Sequence, residues 1–285
     1  MTALLFSSLD EGDTPALSLS NRALSYGDGI FETVRVVDSS VPLLDYHRAR
    51  FLRGVETLAL GSALDMLQKF DQALEQAIQQ LQLIEHSTSL LKIFAIRREG
   101  GRGYAPANPS LADIYVQAFE LPHYQDGFYS EGIELRLCSY RMSEQPVLAG
   151  IKHLNRLDQV MAARELGDCP EGIVLDQHGF VVEGTKSNLI VFAGKSILTP
   201  EIRACGVRGT LLSAMLAGEI DAIELCEKRL GIEDLHKADG LAMINSVFGV
   251  WPVKKFCEKE YAIPVACREL MVAVKTRFGF GYETA

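Results

Sequence analysis

Lys152 stands in the run Gly-Ile-Lys-His-Leu-Asn-Arg-Leu, just ahead of a segment whose apolar residues Leu154, Leu157, Val160 and Met161 recur at helical spacing. A lysine beside apolar surface loses proton affinity by desolvation, which suits it to forming an imine with a carbonyl compound. Glu183 closes the strand-like run Phe-Val-Val-Glu and precedes Gly-Thr-Lys-Ser-Asn. A carboxylate drawn inward at a strand end needs a cationic partner, and a protonated heterocyclic nitrogen is one such partner. Gly206-Val207-Arg208-Gly209-Thr210 leads into a helical pattern, where backbone N–H groups and the helix dipole favour a phosphate. Arg50 could offer a bidentate guanidinium to the same anion. The glycine-rich run Gly100-Gly101-Arg102-Gly103-Tyr104, after Arg97-Arg98, reads as a mobile loop able to receive a carboxylate and close over it. Each motif alone is more often a solvated charge or an ordinary loop.

The elements that must carry these residues can be read from periodicity. Residues 61–81 place Leu64, Leu67, Phe70, Leu74, Ala77, Ile78 and Leu81 on one helical face, with Ser62 and Asp65 as a capping box. Strand patterns occur at Ile30–Val37, Leu90–Ile96 and Asp113–Phe119. Two hairpins follow, Gly172–Asp176 with Phe180–Glu183 and Asn188–Phe192 with Ser196–Thr199. Helices are expected at Asn155–Leu166, Thr210–Ala217 and Val265–Phe278. Segregated helices and hairpins point to an α+β fold.

At 285 residues the chain suits two medium domains. The Pro- and Gly-bearing stretch 121–132 is the expected linker between a small N-terminal α+β domain (1–120) and a larger C-terminal one (133–285) carrying Lys152. A net charge of -9 argues against a nucleic-acid partner. The six cysteines are scattered without a C-x-x-C pair, so neither a disulfide framework nor a metal site is signalled. Met1 to Ser8 does not read as a signal peptide, and no apolar run reaches membrane-spanning length. A cytoplasmic protein is expected.

Taken in order, the motifs resemble those of the fold type IV pyridoxal-phosphate enzymes, the class IV aminotransferases. They comprise Tyr26-Gly-Asp-Gly-Ile-Phe-Glu-Thr33, His47-x-x-Arg50, Lys152, Glu183-Gly-x-x-x-Asn188-Leu, Gly206-Val207 and Asn245-Ser246. The resemblance implies two α+β domains with pyridoxal 5'-phosphate in the cleft between them, usually in a homodimer. It implies that Lys152 carries the cofactor covalently and shuttles protons, and that Glu183 pairs with the pyridine nitrogen. Arg50, the amides of Val207 and Arg208, and the Ser246 hydroxyl would hold the phosphate. Within the family, Lys152-His-Leu-Asn-Arg-Leu157 and the loop at 100–104 resemble the aminodeoxychorismate lyases more than the D-amino-acid or branched-chain aminotransferases, which remain the alternative. On that reading Thr33 assists proton transfer, and Arg97, Arg102, Tyr104 and Asn245 bind a small carboxylate substrate.

Overall fold

A computed structural model describes residues 3–7, 18–83, 88–220 and 223–280. The chain forms two compact units, Met1–Pro122 with Ile151–Asn155, and His123–Gly150 with Arg156–Ala285. Of the N-terminal segment Met1–Ser8, only the strand residues 3–7 are described.

The first unit contains β1 (Ala3–Ser7), α1 (Arg22–Tyr26), β2 (Gly29–Val37), α2 (Leu44–Leu58), α3 (Ala63–Leu83), β3 (Thr88–Arg97) and β4 (Ala112–Phe119). Its antiparallel sheet runs β1-β4-β3-β2. The two-residue strand period puts Ile30, Val34, Leu91, Ile93, Ile114 and Val116 on the face that joins the core with α2 and α3. Phe51 of α2 and Phe70 of α3 meet in that core with ring centroids 4.7 Å apart. The helix at 61–81 is present as α3, and the Ser62 hydroxyl accepts from the Asp65 amide at 3.5 Å. Its buried stripe is Met66, Phe70, Ala73, Leu74, Ala77 and Leu81. Leu64 lies outside that stripe, exposed in the first turn.

The second unit contains α4 (Gly127–Ser130), β5 (Ile133–Arg141), α5 (Leu157–Ala163), β6 (Glu171–Leu175), β7 (Val181–Gly184), β8 (Asn188–Ala193), β9 (Ser196–Pro200), α6 (Thr210–Leu216), β10 (Leu225–Lys228), α7 (Ile232–Lys237), β11 (Gly240–Asn245), β12 (Gly249–Phe256), β13 (Lys259–Glu260) and α8 (Val265–Phe278). Its sheet order is β10-β9-β8-β11-β12-β5-β6-β7, with β13 on β12. Both expected hairpins form, β6 with β7 and β8 with β9. The sheet is nevertheless mixed, because β5 pairs in parallel with β6 and β12, and β9 with β10. Such pairs need long crossovers, here the chain through α5 and through α6.

Two expectations about domain organisation change. The stretch 121–132 is no free linker, because from His123 onward it belongs to the second unit. Tyr124 and Phe128 set their rings edge-on to Trp251 at 4.8 and 5.2 Å, anchoring α4 on the core. Lys152 does not group with the C-terminal unit. Residues Ile151–Asn155 belong to the first unit because they hydrogen-bond along β2.

Candidate functional site

In the first unit, the Phe31 amide donates to the Lys152 carbonyl at 2.9 Å, and the Leu154 amide to the Gly29 carbonyl at 2.9 Å. Ile30 and His153 form an antiparallel bridge. Lys152 therefore lies beside Phe31, with its ammonium 4.7 Å from the centre of that ring. The motif around Gly27 makes room for this segment. Gly27 has φ +64°, and a Cβ there would come within 2.5 Å of the Asn155 carboxamide, which donates to the Gly27 carbonyl at 3.2 Å. The conformation and the close approach both require glycine. The apolar surface near Lys152 is thus Phe31 on β2. The expected helical stripe is not a buried one: α5 begins only at Leu157, and Leu157, Val160 and Met161 are exposed.

Phe31 and Thr33 share one face of β2 by the strand period, and Glu32 points to the other, toward α2. There Glu32 is 1% exposed. It accepts from Arg50 Nε at 2.8 Å and Nη2 at 2.5 Å, and its Oε2 lies 2.7 Å from His47 Nδ1. Burial works against ionisation of Glu32, yet the Arg50 charge and the bonds from Arg50 and His47 win and hold its carboxyl at about 2. Burial also drives His47 below its ordinary value, against the hydrogen bond to Glu32. Arg50 is accordingly a guanidinium held in one pose by an ionised carboxylate, which the neutral imidazole of His47 also bonds.

Lys92 went unrecognised in the sequence. It pairs with Thr33 across β2 and β3, and its ammonium lies 5.5 Å from the same Phe31 ring. The signal was available: in Leu-Leu-Lys-Ile-Phe-Ala, Lys92 alternates with the buried Leu91 and Ile93 and so belongs to the face of Phe94.

Arg97 requires a correction. It is 6% exposed, and its guanidinium donates to Asp28 at 2.9 Å, to the Ala59 carbonyl at 2.8 Å, and to the Leu58 carbonyl and Ser110 hydroxyl. It neutralises the last carbonyls of α2, where the helix dipole favours a cation, instead of awaiting a substrate. Arg102 and Tyr104 are exposed in their loop, as a ligand-binding role needs.

In the second unit Glu183 is buried at the end of β7, 4% exposed. It accepts from the Val207 amide at 2.9 Å and from Gln159 Nε2 at 3.3 Å. These donors orient the carboxylate, one on each oxygen. The turn after it is built on Glu171, which is fully buried. That carboxylate accepts from the amides of Gly172 (2.9 Å), Thr185 (2.8 Å) and Lys186 (3.3 Å), and from the hydroxyls of Thr185 (2.5 Å) and Ser187 (2.6 Å). Asn188 then clamps the glycine-bearing loop, donating to the Val207 carbonyl and accepting from the Gly209 amide, both at 3.0 Å. Gly206 has φ +85°, and a Cβ there would meet Val182 at 2.7 Å.

This arrangement corrects the phosphate donors. The Val207 amide serves Glu183, and the Arg208 amide donates to the Gly150 carbonyl at 3.2 Å, so neither points outward as an anion donor. The same loop holds a different group. The Thr210 hydroxyl at the start of α6 is buried, 2% exposed, without a hydrogen-bond partner among the described residues. An orphaned buried hydroxyl at a glycine-bearing loop fits an anion that completes it. Ser246 is half-buried in the turn between β11 and β12. Asn245 beside it is committed to the turn, accepting from the Val247 and Phe248 amides at 2.9 Å and donating to the Lys186 carbonyl at 3.2 Å. It shapes the turn, which accounts for its carboxamide without a substrate.

Comparison with known proteins identifies the family. The sequence profile of the amino-transferase class IV family matches residues 29–256. The chain belongs to the class IV aminotransferase family. It is 28% identical over 250 residues to an aminodeoxychorismate lyase of Vibrio harveyi, covering 86% of this chain and 89% of that one. The crystal structure of 4-amino-4-deoxychorismate lyase from Pseudomonas aeruginosa superposes with a TM-score of 0.87 at 32% identity, over 96% of this chain and 100% of that chain. A branched-chain amino acid aminotransferase of Escherichia coli shares the fold, with a TM-score of 0.77 at 21% identity, over 95% and 91% of the two chains. The α+β architecture is therefore that of the fold type IV enzymes.

Proposed function

We propose that the protein is a pyridoxal-phosphate-dependent aminodeoxychorismate lyase, which converts 4-amino-4-deoxychorismate to 4-aminobenzoate and pyruvate, a step in folate synthesis. The observation that carries the reading is likeness to two such lyases along nearly the whole chain, joined to a lysine ammonium set beside Phe31 on the face that Thr33 shares.

Lys152 holds the cofactor, Glu183 pairs with its ring nitrogen, and Arg50, Thr210 and Ser246 bind its phosphate. Bound pyridoxal phosphate supplies an electron sink for the pair left when a proton departs from the amine-bearing carbon. Lys152 is the general base that removes that proton. Lys152, or Thr33 as its relay, then returns a proton to the enolpyruvyl methylene carbon. The carbon–oxygen bond breaks, pyruvate departs, and the ring carbons become aromatic. Lys92, Arg102 and Tyr104 bind the substrate carboxylates. Substrate and the two products balance in every atom, so turnover needs no second reactant.

The protein works in the cytoplasm, where its six cysteines, all free in the structure, stay reduced. Among the described residues no helix is long and apolar enough to cross a membrane. It acts as a homodimer, a reading supported by the exposed apolar strip of Leu157, Val160 and Met161 on α5.

The test is product analysis with 4-amino-4-deoxychorismate and no 2-oxo acid present. Equal amounts of 4-aminobenzoate and pyruvate are expected. Turnover that begins only when a 2-oxo acid is added, and yields an amino acid, assigns the protein to the aminotransferases.

A further inference from the structure

Arg22, on the short helix α1, is buried to 5% exposure. Burying a guanidinium is costly unless its donors are satisfied, and the partners of Arg22 are specific. Nε donates to Asp28 Oδ2 at 2.9 Å, Nη1 to the Gly103 carbonyl at 3.0 Å, and Nη2 to the Tyr104 carbonyl at 2.8 Å. Its cationic carbon lies 5.0 Å from the Tyr26 ring, and that ring meets Tyr104 at 5.4 Å. Asp28 in turn receives Arg97, which is fixed on the end of α2. The loop tip is further closed on itself by paired bonds between the backbones of Arg102 and Ala105, at 3.1 and 3.2 Å. Tyr104 is 87% exposed even so. Side chains thus project from a backbone that is held at its tip.

We propose that Arg22 is a positioning residue for substrate recognition: it binds the carbonyls of Gly103 and Tyr104 and so keeps the Gly100–Tyr104 loop as a preset arm. The proposal rests on the reading that Arg102 and Tyr104 serve the substrate. A preset arm binds without first paying the ordering entropy of a mobile loop. The planar fork of arginine is what reaches two adjacent carbonyls at once; a lysine ammonium in its place would keep the charge toward Asp28 but lack the fork.

The test is limited trypsin digestion of the holoenzyme, following cleavage after Arg102 by mass spectrometry. The next two residues are those whose carbonyls Arg22 holds, so cleavage reports release of the arm. In Arg22→Met we expect that bond to be cut at least about tenfold faster, since proteolysis tracks the population of the locally open form. Arg22→Lys should fall between, and serves as the second variant if the methionine protein folds poorly. Cleavage at other sites and the cofactor absorbance should stay as in the parent, while KM for 4-amino-4-deoxychorismate rises. An unchanged rate at Arg102 in both variants overturns the mooring. Faster cleavage with unchanged KM and kcat overturns its link to substrate. If the parent enzyme makes no 4-aminobenzoate, the lyase reading fails, and digestion alone still decides whether Arg22 holds the arm.

Discussion

Replacing Glu32 with glutamine tests the buried cluster that fixes Arg50. Burial disfavours the Glu32 charge, but Arg50 and His47 overcome that and take the carboxyl from 4.5 to about 2. A carboxyl whose folded value is depressed stabilises the fold above its unfolded value, and that stabilisation is lost as pH falls through the folded value. A fall of this size corresponds to about 3 kcal/mol for this fully buried group. Breaking a buried ion pair by removing one partner costs about 3–5 kcal/mol, the same range. Glu32→Gln should therefore destabilise the apoprotein by about 3 kcal/mol at pH 7, measured by denaturant unfolding followed by circular dichroism. The gap between parent and variant should narrow by about 1 kcal/mol at pH 4 and about 2 kcal/mol at pH 3, as the parent loses what the variant never had. Pyridoxal phosphate should also bind the variant more weakly, since Arg50 loses its fixed pose. A loss below about 1 kcal/mol at pH 7, or a gap that does not change with pH, would refute the reasoning.

Three further outcomes are expected. Lys92→Met should raise KM for 4-amino-4-deoxychorismate about tenfold with a much smaller change in kcat, the loss of one charge-assisted bond to a carboxylate; steady-state kinetics decide it. Glu171→Gln should cost about 2–4 kcal/mol in denaturant unfolding, because its amide N–H₂ would face the donors of either Thr185 or Ser187, which sit on different oxygens, and it should weaken cofactor binding through the displaced Glu183 turn. Cys226 and Cys257 are exposed and should react with a thiol reagent in the native protein, although burial of its thiol pushes Cys257 up and slows it. Cys138, Cys205 and Cys267, pushed by burial to about 11, about 12 and about 12, should react only after unfolding, as mass mapping would show.

What could be read in the chain was what is decided locally. The period of α3, the turn residues of the two hairpins and the limits of α8 depend on neighbours in sequence, and they form where expected. The directions of long polar side chains do not. Arg97 looked like a substrate ligand because nothing local says that the carbonyls of Leu58 and Ala59 end beside it. The Val207 and Arg208 amides looked available because their partners, Glu183 and Gly150, are more than twenty residues away. The apolar spacing of α5 was real, but spacing cannot say whether a stripe meets the core of its own chain, and this one does not. Lys92 shows the opposite error, a local alternation that carried the information and was passed over.

The central claim is tested most directly by reducing the holoenzyme with borohydride and mapping the pyridoxyl group by peptide mass spectrometry. The account places that group on Lys152 alone, with Lys152→Ala left colourless and unlabelled. A pyridoxyl group on any other lysine, or a Lys152→Ala protein that retains the yellow cofactor and forms 4-aminobenzoate, would contradict it.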